Sequence, residues 1–220
     1  LRKKFGLESN DKFAVFHLRE EGYFDRPHHA FRNRSVSAYL PAIKWLISQG
    51  LKVVRIGNAS MTKIDKITGL IDLTQHELPD EVDIQLLAEA DFYFGSSSGP
   101  FSVADQFGTP TLIFDELPYS VRTNSIAHLM KFSHKKTGKI QTVSQINNLM
   151  GLDTNAPKPY LLQGLEPIVL DATEILCVTK EMVGNLPKLT PNSRQLYGVP
   201  EDIECRFLGH LDDSSLEILI

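Results

Sequence analysis

Residues 14–24 read AVFHLREEGYF. An apolar run rich in β-branched and aromatic residues predicts a strand. It then gives way to His17, Arg19, Glu20 and Glu21, with a glycine and an aromatic behind them. A strand that ends in a charge cluster carries polar side chains to its carboxyl end. The same pattern recurs downstream. Residues 90–100, ADFYFGSSSGP, form an apolar run that breaks into a Gly/Ser turn, and residues 51–57, LKVVRIG, end on Arg55 and Gly57.

Helical signals separate these runs. Val36–Gln49 places Tyr39, Leu40, Ile43, Leu46 and Ile47 at helical spacing and stops at Gly50, a C-cap residue. Asp80–Ala90 reads as a helix with Val82, Ile84, Leu86, Leu87 and Ala90 on its buried face, and Ser102–Phe107 as a short helix closed by Gly108. Gly69–Thr74 and Thr109–Glu116 are two more short strands. Strands alternating with helices are the signature of βαβ units and a parallel sheet. Right-handed crossovers then put helices on both faces. The expected fold class is α/β, a parallel sheet with helices on both sides. Ligands of such sheets bind at the carboxyl ends of the strands, so Arg19, Arg55 and the Ser96–Gly99 turn should meet at one sheet edge.

The second half is less regular. Residues 117–139 read as a long loop with a helix around Ser125–Lys131, 143–150 as a short helix and 157–167 as irregular. Asp171–Val183 reads as a helix capped by Asp171 or Thr173, with Glu174 in its first turn and Gly184 at its end. Residues 199–220 are expected to return onto the sheet.

Composition narrows the function. The 220 residues suffice for one large domain or two small ones, and a net charge of -4 argues against a general nucleic-acid binder. The two cysteines, Cys177 and Cys205, are too few for a disulfide scaffold or a Cys-rich zinc site and fit a reducing cytoplasm. No apolar run reaches the ~20 residues that span a bilayer. The chain starts at Leu1 and enters a strand early, which suggests a fragment lacking an earlier domain.

Several residues have chemistry to offer. In Ser96-Ser97-Ser98-Gly99-Pro100, small residues before a helix permit close approach, and amides at a helix start attract phosphate. The plainer alternative is an N-cap and a tight turn. Arg19 and Arg55 carry guanidinium forks that match phosphate oxygens, or else pair with acids, Glu20, Glu21 or Asp25 in the case of Arg19. Gly57 would let a ligand or a second loop approach the backbone. His17 and Arg19 share one side of their strand; His17 either donates to a phosphate or sugar or is buried and bonded to backbone. His28-His29, beside Arg26, Arg32 and Arg34, lacks a partner at ligand spacing, so no metal site is read there. Asp80 is expected to cap its helix, with Asp72, Glu77 and Asp83 facing water. Trp45 reads as core, and no nucleophile elbow is present.

Taken in order, the pieces form a pattern. His17-x-Arg19-x-x-Gly22-Tyr23 precedes Arg32-Asn33, then Tyr39-Leu-Pro-Ala-Ile43, Val54-Arg-Ile-Gly57, Asp83–Leu87, Phe92–Gly99 and Phe107-Gly-x-Pro110. This succession resembles bacterial glycosyltransferases of surface-polysaccharide gene clusters and, more distantly, GDP-fucose-dependent fucosyltransferases. The tail, from Asp171–Met182 to Ile203–Leu219, fits as well. The resemblance implies a GT-B architecture of two Rossmann-like domains, of which this chain is the carboxyl-terminal, donor-binding half. Residues 1–220 would be one nucleotide-sugar-binding domain, with 1–11 a leading segment and 171–220 carboxyl-terminal helices packing back.

The implied chemistry is transfer of a sugar from a nucleoside-diphosphate sugar to a glycan, lipid-linked or other hydroxyl acceptor. GDP-linked donors come first in view. No further cofactor, no metal and no nucleic acid are implied, and the chain contains no Asp-x-Asp motif. By the same resemblance Arg19 would hold the diphosphate beside the Ser97-Ser98-Gly99 turn, next to Ser96. His17, Arg32, Asn33 and Arg55 would line the pocket. Glu20, Glu21 and Asp25 are the nearest candidates for a base, and Glu20 stands where aspartate is common. The expected location is cytoplasmic, with peripheral attachment at the inner membrane face open, as is the oligomeric state. Two other readings stand beside this one: a nucleotide- or phosphosugar-binding module without turnover, and another GT-B enzyme such as a sugar-nucleotide epimerase or pyruvyl transferase.

Overall fold

All five residues of strand β1 (Phe13–His17) are buried. Its apolar run is continuous because a parallel strand is covered on both faces. Alternate residues feed two cores. Ala14, Phe16 and, just beyond the strand, Leu18 pack with Ala42, Ile43 and Leu46 of helix α1 (Leu40–Ser48). Phe13 and Val15 pack on the other face, with Val82, Leu86 and Leu87 of α2 (Asp80–Glu89) and Phe101 and Ala104 of α3 (Gly99–Gln106). Helix α4 (Ala172–Asn185) joins α1 through Ile175, Val178 and Met182. Among the described residues, each face of the sheet thus carries two α-helices.

The computed structural model describes residues 2–21, 32–116, 125–142, 145–146, 160, 162–186, 194–197 and 207–211. Asp25, His28 and His29 lie outside these residues, as do most of 143–159 and of 199–220. The remaining strands are β2 (Lys52–Arg55), β3 (Leu70–Asp72), β4 (Phe92–Ser96), β5 (Thr111–Glu116), β6 (Ser125–Leu129), β7 (Lys131–His134), β8 (Leu165–Ile168), β9 (Arg194–Tyr197) and β10 (Phe207–Leu211). Eight of the ten form one sheet in the order β10-β9-β6-β5-β4-β1-β2-β3. Neighbours run parallel except at the β9–β10 edge, which is antiparallel. This is the parallel, Rossmann-like α/β sheet that the alternation of elements predicts. From β1 the chain lays β2 and β3 on one side, then β4, β5 and β6 on the other. The order therefore reverses between β1 and β4, the topological switch point where ligands of such sheets bind.

Aromatic packing holds that point together. Phe16 stacks on Phe94 with centroids 4.6 Å apart, and Tyr39 meets Phe114 edge-on at 5.4 Å. Strand β4 also approaches β1 closely. Gly95 is paired with His17 and has φ +146, and a Cβ there would lie 1.9 Å from the His17 carbonyl oxygen.

Several sequence expectations change. Ser125–Lys131 is not helical: Ser125–Leu129 is a wholly buried strand, and Lys131–His134 is a second strand, in which only Phe132 is buried. An apolar run this short has no periodicity that separates strand from helix, and burial decides it. Strand β8 replaces part of the irregular 157–167 segment. Asp80 is the first residue of α2, with Pro79 at the N-cap, so it is not the cap. Ile84, expected on the buried face, is 42% exposed. Gly184 lies inside α4, whose start carries the expected cap: Asp171 accepts from the Thr173 and Glu174 amides, and Glu174 accepts from the Asp171 amide. Within 199–220, residues 207–211 are a strand of the sheet rather than helix.

Candidate functional site

The switch point brings the ends of β1 and β4 side by side. After His17 the chain leaves β1 as Leu18-Arg19-Glu20, and the Arg19 amide donates to Ser96 Oγ at 2.8 Å. The Ser96 carbonyl accepts from Tyr93 Oη at 2.8 Å and from Ser98 Oγ at 3.2 Å. Ser98 is the N-cap residue of α3, yet its side chain makes no capping hydrogen bond. Instead its Oγ shares a 2.9 Å hydrogen bond with His17 Nδ1. The first-turn amides of α3 are thus left uncapped by Ser98, next to open space: a Cβ added at Gly99 would meet nothing within 4 Å. Such a helix start draws anions.

His17 is buried against this turn. Burial foremost, then the Arg55 and Arg19 charges, push its pKa from 6.5 down to about 4. The ring is therefore neutral at physiological pH and serves as a hydrogen-bonding partner of Ser98.

Arg32 reaches the turn from the other side, donating through Nη2 to the Ser97 carbonyl. Burial, then repulsion from Arg19, lowers its pKa to about 10, against the opposing pull of Glu116. It keeps its charge at neutral pH. Arg19 and Arg32 are thus tied to the turn at the end of β4, the first by its backbone amide and the second by its guanidinium, and their charges repel each other. Asn33 lies one residue on and, with Glu20, Glu21, Arg34, Ser35 and Thr62, lines an adjoining cavity of about 340 Å³.

Other expected site residues are placed differently. Arg55 is wholly buried and committed to protein partners: Nη2 bonds Glu20 Oε1 at 2.5 Å, and Nη1 bonds Asp72 Oδ2 at 2.9 Å and the Thr62 carbonyl at 2.8 Å. The ion-pair alternative describes it, because the same sheet edge supplies two carboxylates within reach. The other Glu20 oxygen accepts from the Thr62 amide at 3.0 Å. Both oxygens of Glu20 are therefore engaged, which places it as a partner of Arg55 rather than a base open to an acceptor. Asp72 is not simply solvated, being half of this arrangement. Gly57 admits a second loop: a Cβ there would lie 2.2 Å from Met61 Sδ.

Three residues that sequence reasoning did not single out join the site. Arg34 Nε donates to Asp115 Oδ2 at 2.6 Å, and His128 Nδ1 stands 3.6 Å from Asp115 Oδ1, all three side chains being nearly inaccessible. Burial pushes the Asp115 carboxyl up, but His128 and Arg34 outweigh it and hold the pKa below the usual value. The rule that picked out Arg19 and Arg55, a polar residue at a strand's carboxyl end, applies equally to Asp115 in TLIFDE. Among the described residues no group of three His, Cys, Asp or Glu side chains is disposed to hold a metal ion.

No protein-family model and no curated protein matches the chain. Among solved structures, a glycosyl transferase family 9 protein from Veillonella parvula overlaps it at 15% identity and a TM-score of 0.44, over 57% of this chain and 37% of the other. The E. coli ADP-heptose lps heptosyltransferase II overlaps at 18% identity and a TM-score of 0.43, over 57% of this chain and 40% of its own. The chain thus spans less than half the length of either protein. No helix among the described residues is long and apolar enough to cross a membrane.

Proposed function

We propose that this chain is the donor-binding half of a glycosyltransferase, which holds the diphosphate of a nucleoside-diphosphate sugar at the β1–β4 switch point. One observation carries the reading. The Arg19 amide joins Ser96 and the Arg32 guanidinium joins Ser97, so that both arginines attach to the turn that opens α3, and the side chain of the N-cap residue bonds His17 instead of capping the helix. A diphosphate needs this combination of forked cations and amide donors. In the transfer, the bond between the anomeric carbon and the diphosphate oxygen breaks as an acceptor hydroxyl attacks. Negative charge grows on the leaving diphosphate, and preorganised donors stabilise that charge most. Neutral His17 keeps Ser98 aimed, and the cavity bordered by Glu21, Asn33 and Thr62 offers hydrogen-bonding groups to a sugar.

The motif order set out above supports the same reading, with GDP as the first base to try. The engagement of Glu20 favours one variant of it, in which this chain binds the donor and the base that activates the acceptor lies elsewhere. The experiment is a thermal-shift screen with GDP, UDP, ADP and CMP, followed by calorimetric titration. One diphosphate should raise Tm, and Arg19→Ala should weaken its binding by about a hundredfold, the scale of a charge-assisted bidentate contact, with the circular dichroism spectrum unchanged. A folded sample that answers to none of the nucleotides would overturn the donor-site reading. Undiminished binding by Arg19→Ala would overturn the role of that residue.

A further inference from the structure

The segment Arg32–Ser35 crosses the carboxyl ends of adjacent strands, and each crossing is fixed by a different bond. Over β1, the Arg34 amide donates to the Arg19 carbonyl at 2.8 Å. Beyond β4, Arg32 donates to the Ser97 carbonyl. Over β5, Arg34 Nε meets Asp115 Oδ2 at 2.6 Å, while Arg34 Nη1 folds back onto the Asn33 carbonyl at 2.8 Å. Arg34 is thus a brace inside the segment, anchored by its backbone on one strand and by its side chain two strands away.

The β5 end of this brace is built at a cost. Asp115 has φ +52, alone among the described non-glycine residues in having a positive φ. The β5–β6 pairing also shifts register between Ile113 and Glu116, across this same position. A bulge re-aims a side chain, and a left-handed non-glycine residue stores strain that persists only where its surroundings over-determine it. The surroundings here are Arg34 on one side and His128 of β6 on the other.

We propose that Asp115 is a positioning residue: its bulged, left-handed geometry locks Arg34 and so holds the Arg32–Ser35 strap across the switch point, with Arg32 aimed at the Ser97–Gly99 turn. The strap's part in donor binding rests on the function proposed above; its mechanical dependence on Asp115 does not.

The test uses the full chain and the Asp115→Asn variant, which keeps the shape and removes the charge. Amide hydrogen exchange without ligand reads the mechanical claim. Protection at residues 32–35 should fall in the variant while β1 and β4 stay protected, and equal protection in both proteins would overturn it. Calorimetry with whichever of GDP, UDP, ADP and CMP the parent binds reads the consequence. Asp115→Asn should weaken the diphosphate that the parent binds by about tenfold or more, the worth of one charge-assisted hydrogen bond. In an Arg32→Ala background the same substitution should cost little further, because both act through one guanidinium. Parent-like affinity in folded Asp115→Asn, or losses that multiply in the double variant, would overturn the positioning role, whereas a merely supporting residue would lower Tm and leave that coupling at zero. A parent that binds none of GDP, UDP, ADP and CMP would sink the donor reading, and exchange would still decide whether Asp115 holds the strap. Should Asp115→Asn fail to fold, Arg34→Lys, which gives up the Nε contact, makes the same comparison.

Discussion

Gly95 shows what a single position demands. Its pairing with His17 brings backbone so close that any side chain would strike the His17 carbonyl, and its φ of +146 is one that L residues avoid. Gly95→Ala should therefore destabilise by at least about 3 kcal/mol, from strain and from the displaced strand together. Urea denaturation checks this, and an unchanged midpoint would contradict the β1–β4 approach. Arg19 and Ser98 were legible as candidates because a strand end and a Gly/Ser turn are local patterns, whereas Arg32 entered only through the family resemblance. Arg55 was legible as a strand-end arginine but not as a buried one. Its acidic partners lie 17 and 35 residues away in sequence, and only strand pairing brings them to it.

At the scale of elements, the Glu20–Arg55–Asp72 arrangement ties the ends of β1, β2 and β3. Removing one member of a buried ion pair costs more than the pair contributes, because the remaining charges stay desolvated. Arg55→Ala should lose about 3–5 kcal/mol, measured by chemical denaturation. At a temperature where that variant is folded, its nucleotide affinity should change far less than that of Arg19→Ala; an equal loss would restore Arg55 to the ligand. Helix starts were read well where the signal is chemical, as at Asp171 and Glu174. They were read less well where it is steric: α3 starts at Gly99, with Pro100 in its first turn, rather than at Ser102. Strand β6 escaped detection because five consecutive buried residues carry no period of their own.

For the whole molecule, the buried titratable groups set a pH dependence. The folded-state pKa of His17 lies below that of the unfolded chain, so the unfolded state takes up its proton first. Stability from this group is complete above pH 6.5 and declines as pH falls toward about 4, by roughly 3 kcal/mol in all. Asp115, also held low, contributes in the same direction but at lower pH, losing its share as pH falls through its folded-state value. Denaturation midpoints between pH 7 and pH 4 should therefore fall, and His17→Gln, which keeps a hydrogen-bonding side chain without the titration, should flatten the curve over that window. A parallel decline in both proteins would assign the effect elsewhere.

The amino-acid sequence by itself determined the class of fold, because hydrophobic period and turn chemistry act within a few residues. It also determined that charge collects at strand ends, which is a matter of where each apolar run stops. Tertiary structure decided which of those charges face each other. Arg55 is taken up by Glu20 and Asp72, and Arg34 by Asp115, while Arg32 donates to the Ser97 carbonyl at the switch point. The choice rests on strand order and burial: a buried guanidinium must be paired, and the nearest carboxylate is set by which strands lie side by side.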